Sequence, residues 1–124
     1  MSVKHLTMDD FESTIMSNSI VLVDFWASWC GPCRAFAPVF DRSAQMHPDI
    51  VHGKVDTEAE RELAAVVGIS SIPTVMAFRD GVLVYSSPGA MPPAVLEDLI
   101  EQVMSLDMTH VRETIAARKS AATS

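Results

Sequence analysis

The sequence predicts an α/β domain in which a central mixed β-sheet is flanked by helices on both faces. Three observations predict it. Ile20–Trp26 is apolar and β-branched almost throughout, strand-like and helix-like segments alternate through the first two thirds of the chain, and Asp80-Gly81 separates two short β-rich runs. At 124 residues, with 48% hydrophobic and 20% charged, the chain has the size and composition of one globular domain. A domain of this length buries roughly two-thirds of the surface its unfolded chain exposes. Neither a disulfide framework nor a metal is needed to hold such a core.

The elements follow in order. Thr7, then Asp9 and Asp10, then Phe11 and Ile15 four apart, read as an N-capped helix with an acidic first turn, ending near Asn18. Ile20 to Trp26 suits a central strand covered on both faces. From about Gly31 to Met46, the residues Phe36, Val39, Phe40 and Met46 suit a helix, and Pro38 inside it removes a backbone hydrogen bond and predicts a kink. Ile50 to Asp56 makes a second strand, and Glu58 to Val67 a short helix stopped by Gly68. Thr74 to Arg79 and Val82 to Ser86 flank Asp80-Gly81 and become antiparallel neighbours. Val95, Leu96, Leu99, Ile100, Val103 and Met104 form the apolar face of a closing helix. Beyond Leu106 the net charge is +1, against -8 for residues 1–106. Met104, Met108, Val111 and Ile115 keep a helical spacing there, so the last helix runs on or restarts before fading into a disordered Ser/Ala tail.

Several function classes drop out. Nine Lys and Arg against sixteen Asp and Glu give a net charge of -7, which argues against nucleic acid as a partner, since phosphate neutralisation needs clustered cations. The most apolar run, Ile20 to Trp29, is ten residues long and holds Asp24, whereas a membrane span needs about 20 apolar residues, so no membrane anchor is expected. The N-terminal stretch has no apolar segment behind a basic start and no small-residue cleavage pattern, so a secretory signal is not expected and a cytoplasmic location is. His5, His47, His52 and His110 share no metal-ligand spacing, and the eight methionines fall mostly at core positions. No metal site is expected.

Trp29-Cys30-Gly31-Pro32-Cys33 lies just after the central strand and opens the following helix. Two intervening residues bring both sulfurs within bonding range, so the pair can cycle between dithiol and disulfide. Unpaired N–H groups and the macrodipole at a helix N-terminus stabilise a thiolate on Cys30, which makes it the nucleophile. Pro32 suits the first helical turn, where its missing N–H has no partner to lose. Asp24, isolated among Leu22, Val23, Phe25 and Trp26, should have a raised pKa through desolvation and can exchange a proton near neutral pH. Blander readings stand beside these. The cysteines could be inert or half of a metal site carried across a dimer, Asp24 could reach water at a strand end, and Lys54 could be an exposed strand lysine. Ile72-Pro73 could be an ordinary trans bond at a sheet edge.

VDFWASWCGPCR, SIPT about forty residues later, the Asp80-Gly81 hairpin and Gly89 resemble the thioredoxin family, over residues from about 3 to 106. The resemblance implies the thioredoxin fold for residues 1–106, leaving 107–124 as a helical extension or tail. It implies a thiol–disulfide oxidoreductase that reduces protein disulfides. Cys30 attacks, Cys33 resolves the mixed disulfide, Asp24 serves as the buried proton acceptor, and Lys54 is the lysine near it. It implies a cis Ile72-Pro73 bond and a substrate-binding rim of Trp29, Gly31, Pro32, Ile72, Pro73 and Gly89, where an extended substrate segment pairs with backbone. Gly-Pro between the cysteines goes with reducing members of the family, near about -270 mV, and not with strong oxidants near about -120 mV. Partners implied are an NADPH-dependent thioredoxin reductase and disulfide-containing proteins, with the chain a monomer that carries no cofactor. A redox-indifferent binding subunit, and an oxidising or isomerising relative in an export compartment, are the alternatives. Two positions depart from the family's usual pattern. Arg34 stands where lysine is frequent, and Pro88 before Gly89 offers no backbone N–H.

Overall fold

A five-stranded sheet in the order β1-β3-β2-β4-β5 forms the middle layer of the computed structural model, which describes residues 3–123. The strands are β1 (Val3–His5), β2 (Ile20–Trp26), β3 (Val51–Asp56), β4 (Thr74–Arg79) and β5 (Val82–Pro88). The helices are α1 (Phe11–Ser17), α2 (Gly31–Met46), α3 (Arg61–Val67), α4 (Pro93–Met104) and α5 (Met108–Thr123). β1 and β2 run parallel to β3, while β2 with β4 and β4 with β5 are antiparallel, so the sheet is mixed.

β2 is central because both of its faces are covered. Alternate residues serve different layers, as the two-residue period of a strand requires. Ile20 and Leu22 pack with Val75 and Ala77 against Phe36 and Phe40 of α2 and Leu96, Leu99, Ile100 and Val103 of α4. Val21, Val23 and Phe25 pack with Met76 and Phe78 against Ile15 and Phe11 of α1 and Leu63 of α3. The layers expected on each face are both present.

Local signals set most boundaries. Asp80 and Gly81 both take positive φ, 52° and 80°, the pairing a two-residue hairpin requires. Gly68 closes α3 in the left-handed conformation at φ 83°, and its N–H returns to the Ala64 and Ala65 carbonyls. At the start of α1 the polarity of the cap differs from expectation. The Asp10 carboxylate accepts the Thr7 N–H at 2.7 Å, so Asp10 reaches back to Thr7. α3 begins at Arg61, later than Glu58, because Asp56 holds the intervening turn by accepting the Glu58 and Ala59 N–H groups. α2 runs unbroken from Gly31 to Met46 across Pro38. The last segment restarts as a separate helix. Asp107 accepts the Thr109 and His110 N–H groups and so caps α5, Met108 is buried, and the helical backbone continues to Thr123. Among the described residues, no helix is long and apolar enough to cross a membrane.

Candidate active site

The loop from β2 to α2 carries the cysteines to one end of the sheet. Cys30 is the N-cap of α2 and Cys33 lies in its first turn, with Pro32 at a position where no amide is needed. They form a disulfide, with Cα atoms 5.2 Å apart. The Cys33 N–H donates to Cys30 Sγ at 3.2 Å, and Cys30 Sγ lies 3.9 Å from the Ile72 carbonyl oxygen. Both cysteines are buried and pack with Ala27, Trp26 and Ile72.

The expected rim residues fall into two groups. Trp29 is 66% exposed, and Gly31, Pro32 and Gly89 are also exposed, whereas Ile72 is half-buried and Pro73 buried. The Ile72-Pro73 bond is cis, as the family resemblance implied. The Gly89 N–H donates to the Pro73 carbonyl at 2.7 Å, which ties the end of β5 to this turn. Pro88 pairs with Thr74 in register, so the amide that bonds to the turn belongs to the residue after the proline.

Asp24 is fully buried in β2, and neither of its carboxylate oxygens has a hydrogen-bond partner. Burial pushes this carboxyl up to about 7 from 3.8; the Lys54 ammonium opposes the rise and the Asp41 carboxylate adds to it. A lone carboxyl left without donors holds its proton, since an ionised group there would lose its hydration without replacement. Lys54 is opposite Asp24 in the β2–β3 register. Its Nζ stands 5.0 Å from the centroid of the Trp26 ring, a cation–π contact that holds the half-buried ammonium close to the strand. Register thus brings Lys54 to Asp24, and Trp26 supports it.

Two participants carry no signal of their own in the sequence. Trp26 reads there only as part of an apolar strand, and Asp41 lies seventeen positions from Asp24, so its influence arises only in the folded chain. Arg34, a departure from the family's usual residue, bonds through Nη1 to the Ser28 carbonyl at 3.0 Å. Of the discounted histidines, His52 is buried between Ser43 Oγ at 2.9 Å and the Ile50 carbonyl at 3.1 Å, and burial lowers its pKa. His47 pairs with Glu97 at 2.8 Å. Among the described residues, no three His, Cys, Asp or Glu side chains gather as a metal site.

Comparison with known proteins agrees with this geometry. A family model described as Thioredoxin matches residues 2–102. A Streptomyces coelicolor protein called "Putative thioredoxin 2" is 50% identical over 121 residues, covering 98% of this chain and 90% of the relative. "Thioredoxin 1" of Synechococcus elongatus is 45% identical over 105 residues, covering 82% of this chain and 98% of that one. Among solved structures, a mutant thioredoxin from Halobacterium salinarum matches with TM-score 0.79 and 31% identity, over 85% of this chain and 93% of the other.

Proposed function

The chain belongs to the thioredoxin family, and on that footing we propose how its residues divide the work. It is a thiol–disulfide oxidoreductase, a protein-disulfide reductase with a dithiol pair. In our reading the reduced chain attacks a substrate disulfide with the Cys30 thiolate. A bond forms between Cys30 Sγ and one substrate sulfur, and the other substrate sulfur leaves as a thiolate. Cys33 then gives up its proton and attacks Cys30 Sγ. The internal disulfide forms, the second substrate thiolate is released, and two electrons have passed to the substrate.

The observation that carries this reading is the Cys33 N–H directed at Cys30 Sγ at the head of a sixteen-residue helix. That amide and the helix N-terminus favour negative charge on Cys30 above all, lowering its pKa below the ordinary thiol range of about 8.5. Asp24, with its proton affinity near neutrality, accepts the proton of Cys33 through water and returns it later. Lys54 limits how far burial can raise Asp24. Trp29, Gly31, Pro32, Ile72, Pro73 and Gly89 bind the extended substrate segment around Cys30, excluding water from the exchange.

Members of the family are generally reduced by thioredoxin reductase. We assign this chain an NADPH-dependent one, a cytoplasmic setting, and action as a monomer on disulfide-bearing proteins; the Gly31-Pro32 dipeptide of reducing members supports the reducing direction. Residues 1–106 would be the redox domain and 107–124 an appended helix, a division supported by the end of the family match at residue 102 and the Asp107 cap. A binding-only role is not favoured, because it gives the bonded cysteine pair no purpose. Titration against a glutathione buffer, followed by turnover on a protein disulfide with NADPH and thioredoxin reductase, tests the reading. A potential near about -270 mV with sustained turnover is expected, and one above about -200 mV would overturn it.

A further inference from the structure

Charge around the cysteines is divided. Asp56, the last residue of β3, stands in register with Trp26, whose carbonyl accepts both the N–H and the hydroxyl of Thr57. At the head of α2 stands one cation, Arg34, in the turn that follows Cys30. The next cation on that helix, Arg42, is eight residues on, about 12 Å along the axis. Arg34 is exposed and makes no ion pair among the described residues. It is nonetheless held in place. Nη1 is engaged by the Ser28 carbonyl at 3.0 Å, and Nη2 would lie 3.9 Å from a Cβ added to Gly31. The guanidinium therefore lies alongside the Cys30-Gly31 backbone, with Nε and Nη2 still able to donate. A planar fork anchored at one nitrogen loses less freedom on meeting a carboxylate than a mobile ammonium would.

We propose that Arg34 is a specificity residue that takes the carboxylate of an Asp or Glu flanking the disulfide on the substrate. This rests on the disulfide-reductase reading above and refines its substrate class. A chain of net charge -7 repels acidic segments in general, so a cation fixed against the Ser28 carbonyl and Gly31, in the loop that carries Cys30, decides whether such a disulfide is accepted. Asp56 at the end of β3, opposite Trp26, disfavours the reverse orientation, in which the substrate's acidic side would meet it. An acidic flank thus sets which way the substrate segment lies across the site.

The test uses two synthetic disulfide peptides that differ only in a Glu or Gln beside the disulfide, with single-turnover rates measured on the reduced chain at low salt. The native chain is expected to favour the Glu peptide by about three- to fivefold, the range of an exposed ion pair. High salt should erase the preference. In Arg34→Gln the Glu-to-Gln ratio should fall to one or below, in Arg34→Lys it should be intermediate, and in Arg34→Glu it should invert. A native ratio of one, a ratio unchanged in Arg34→Gln, or an equal slowing of both peptides would overturn the proposal. The last result would mean that Arg34 acts through the Ser28 loop or through Cys30. If the native chain reduced neither peptide, the reductase reading itself would fail; reduction of both without preference would leave that reading intact and remove only the role of Arg34.

Discussion

Replacing Asp24 by Asn should change how the stability of the oxidised protein responds to pH. In the unfolded chain this carboxyl titrates near 3.8, and in the folded chain near 7. Between those values the folded protein holds a proton that the unfolded chain has released. Stability therefore falls as pH rises through this window, and the loss is complete above about 7. At about 1.4 kcal/mol for each pH unit, the full cost is about 4 kcal/mol, of which about 2.5 kcal/mol accrues between pH 5 and pH 8. Asn keeps the shape and cannot ionise. Burying its amide without a partner carries a penalty of about 1–3 kcal/mol, but that penalty does not vary with pH and cancels when the two pH values are compared. Urea unfolding of both proteins at pH 5 and pH 8 measures the quantity needed. The stability of Asp24→Asn relative to native should rise by about 2.5 kcal/mol from the lower to the higher pH. A relative stability that stayed constant within about 0.5 kcal/mol would refute the reasoning, since the buried carboxyl would then titrate as it does in the unfolded chain.

Three other outcomes are expected. Lys54→Met removes the cation that opposes the effect of burial, so the Asp24 carboxyl should titrate above about 7, as read by carbonyl-labelled NMR or infrared difference spectra. Cys33→Ser should still attack a substrate disulfide but accumulate a mixed disulfide through Cys30, visible by mass spectrometry, whereas Cys30→Ser should form none. Phe40→Ala empties a fully buried site between β2, α2 and α4 and should cost about 3–5 kcal/mol in denaturant unfolding, with the Cys30–Cys33 bond still forming.

The parts of the fold that are legible in the sequence are those governed by neighbours along the chain. The apolar run of β2, the Asp80-Gly81 turn and the Gly68 stop each rest on local sterics or burial and appear where expected. β1 has no signal, since three residues are too few for a period, and it is a strand only through its parallel pairing with β3. The start of α3 departs from expectation because Glu58 and Glu60 suit a first helical turn as well as the Asp56-held turn that residues 58 to 60 form. At the site, the cysteine pair is legible from spacing and Asp24 from its apolar neighbours. The relation of Lys54 to Asp24 depends on strand register, and the bond from Gly89 to Pro73 on the end of a hairpin meeting a distant turn. Contacts of that kind join residues far apart in sequence, and no local pattern announces them.

The central claim is that Cys30, and not Cys33, is the sulfur that ionises easily. Alkylation of the fully reduced protein across a pH series, with each cysteine read separately by peptide mass, tests it most directly. Cys30 should react first, with a midpoint clearly below the ordinary thiol value of about 8.5, and Cys33 should lag far behind it. Equal reactivity of the two, or a Cys30 midpoint at or above that value, would contradict the account.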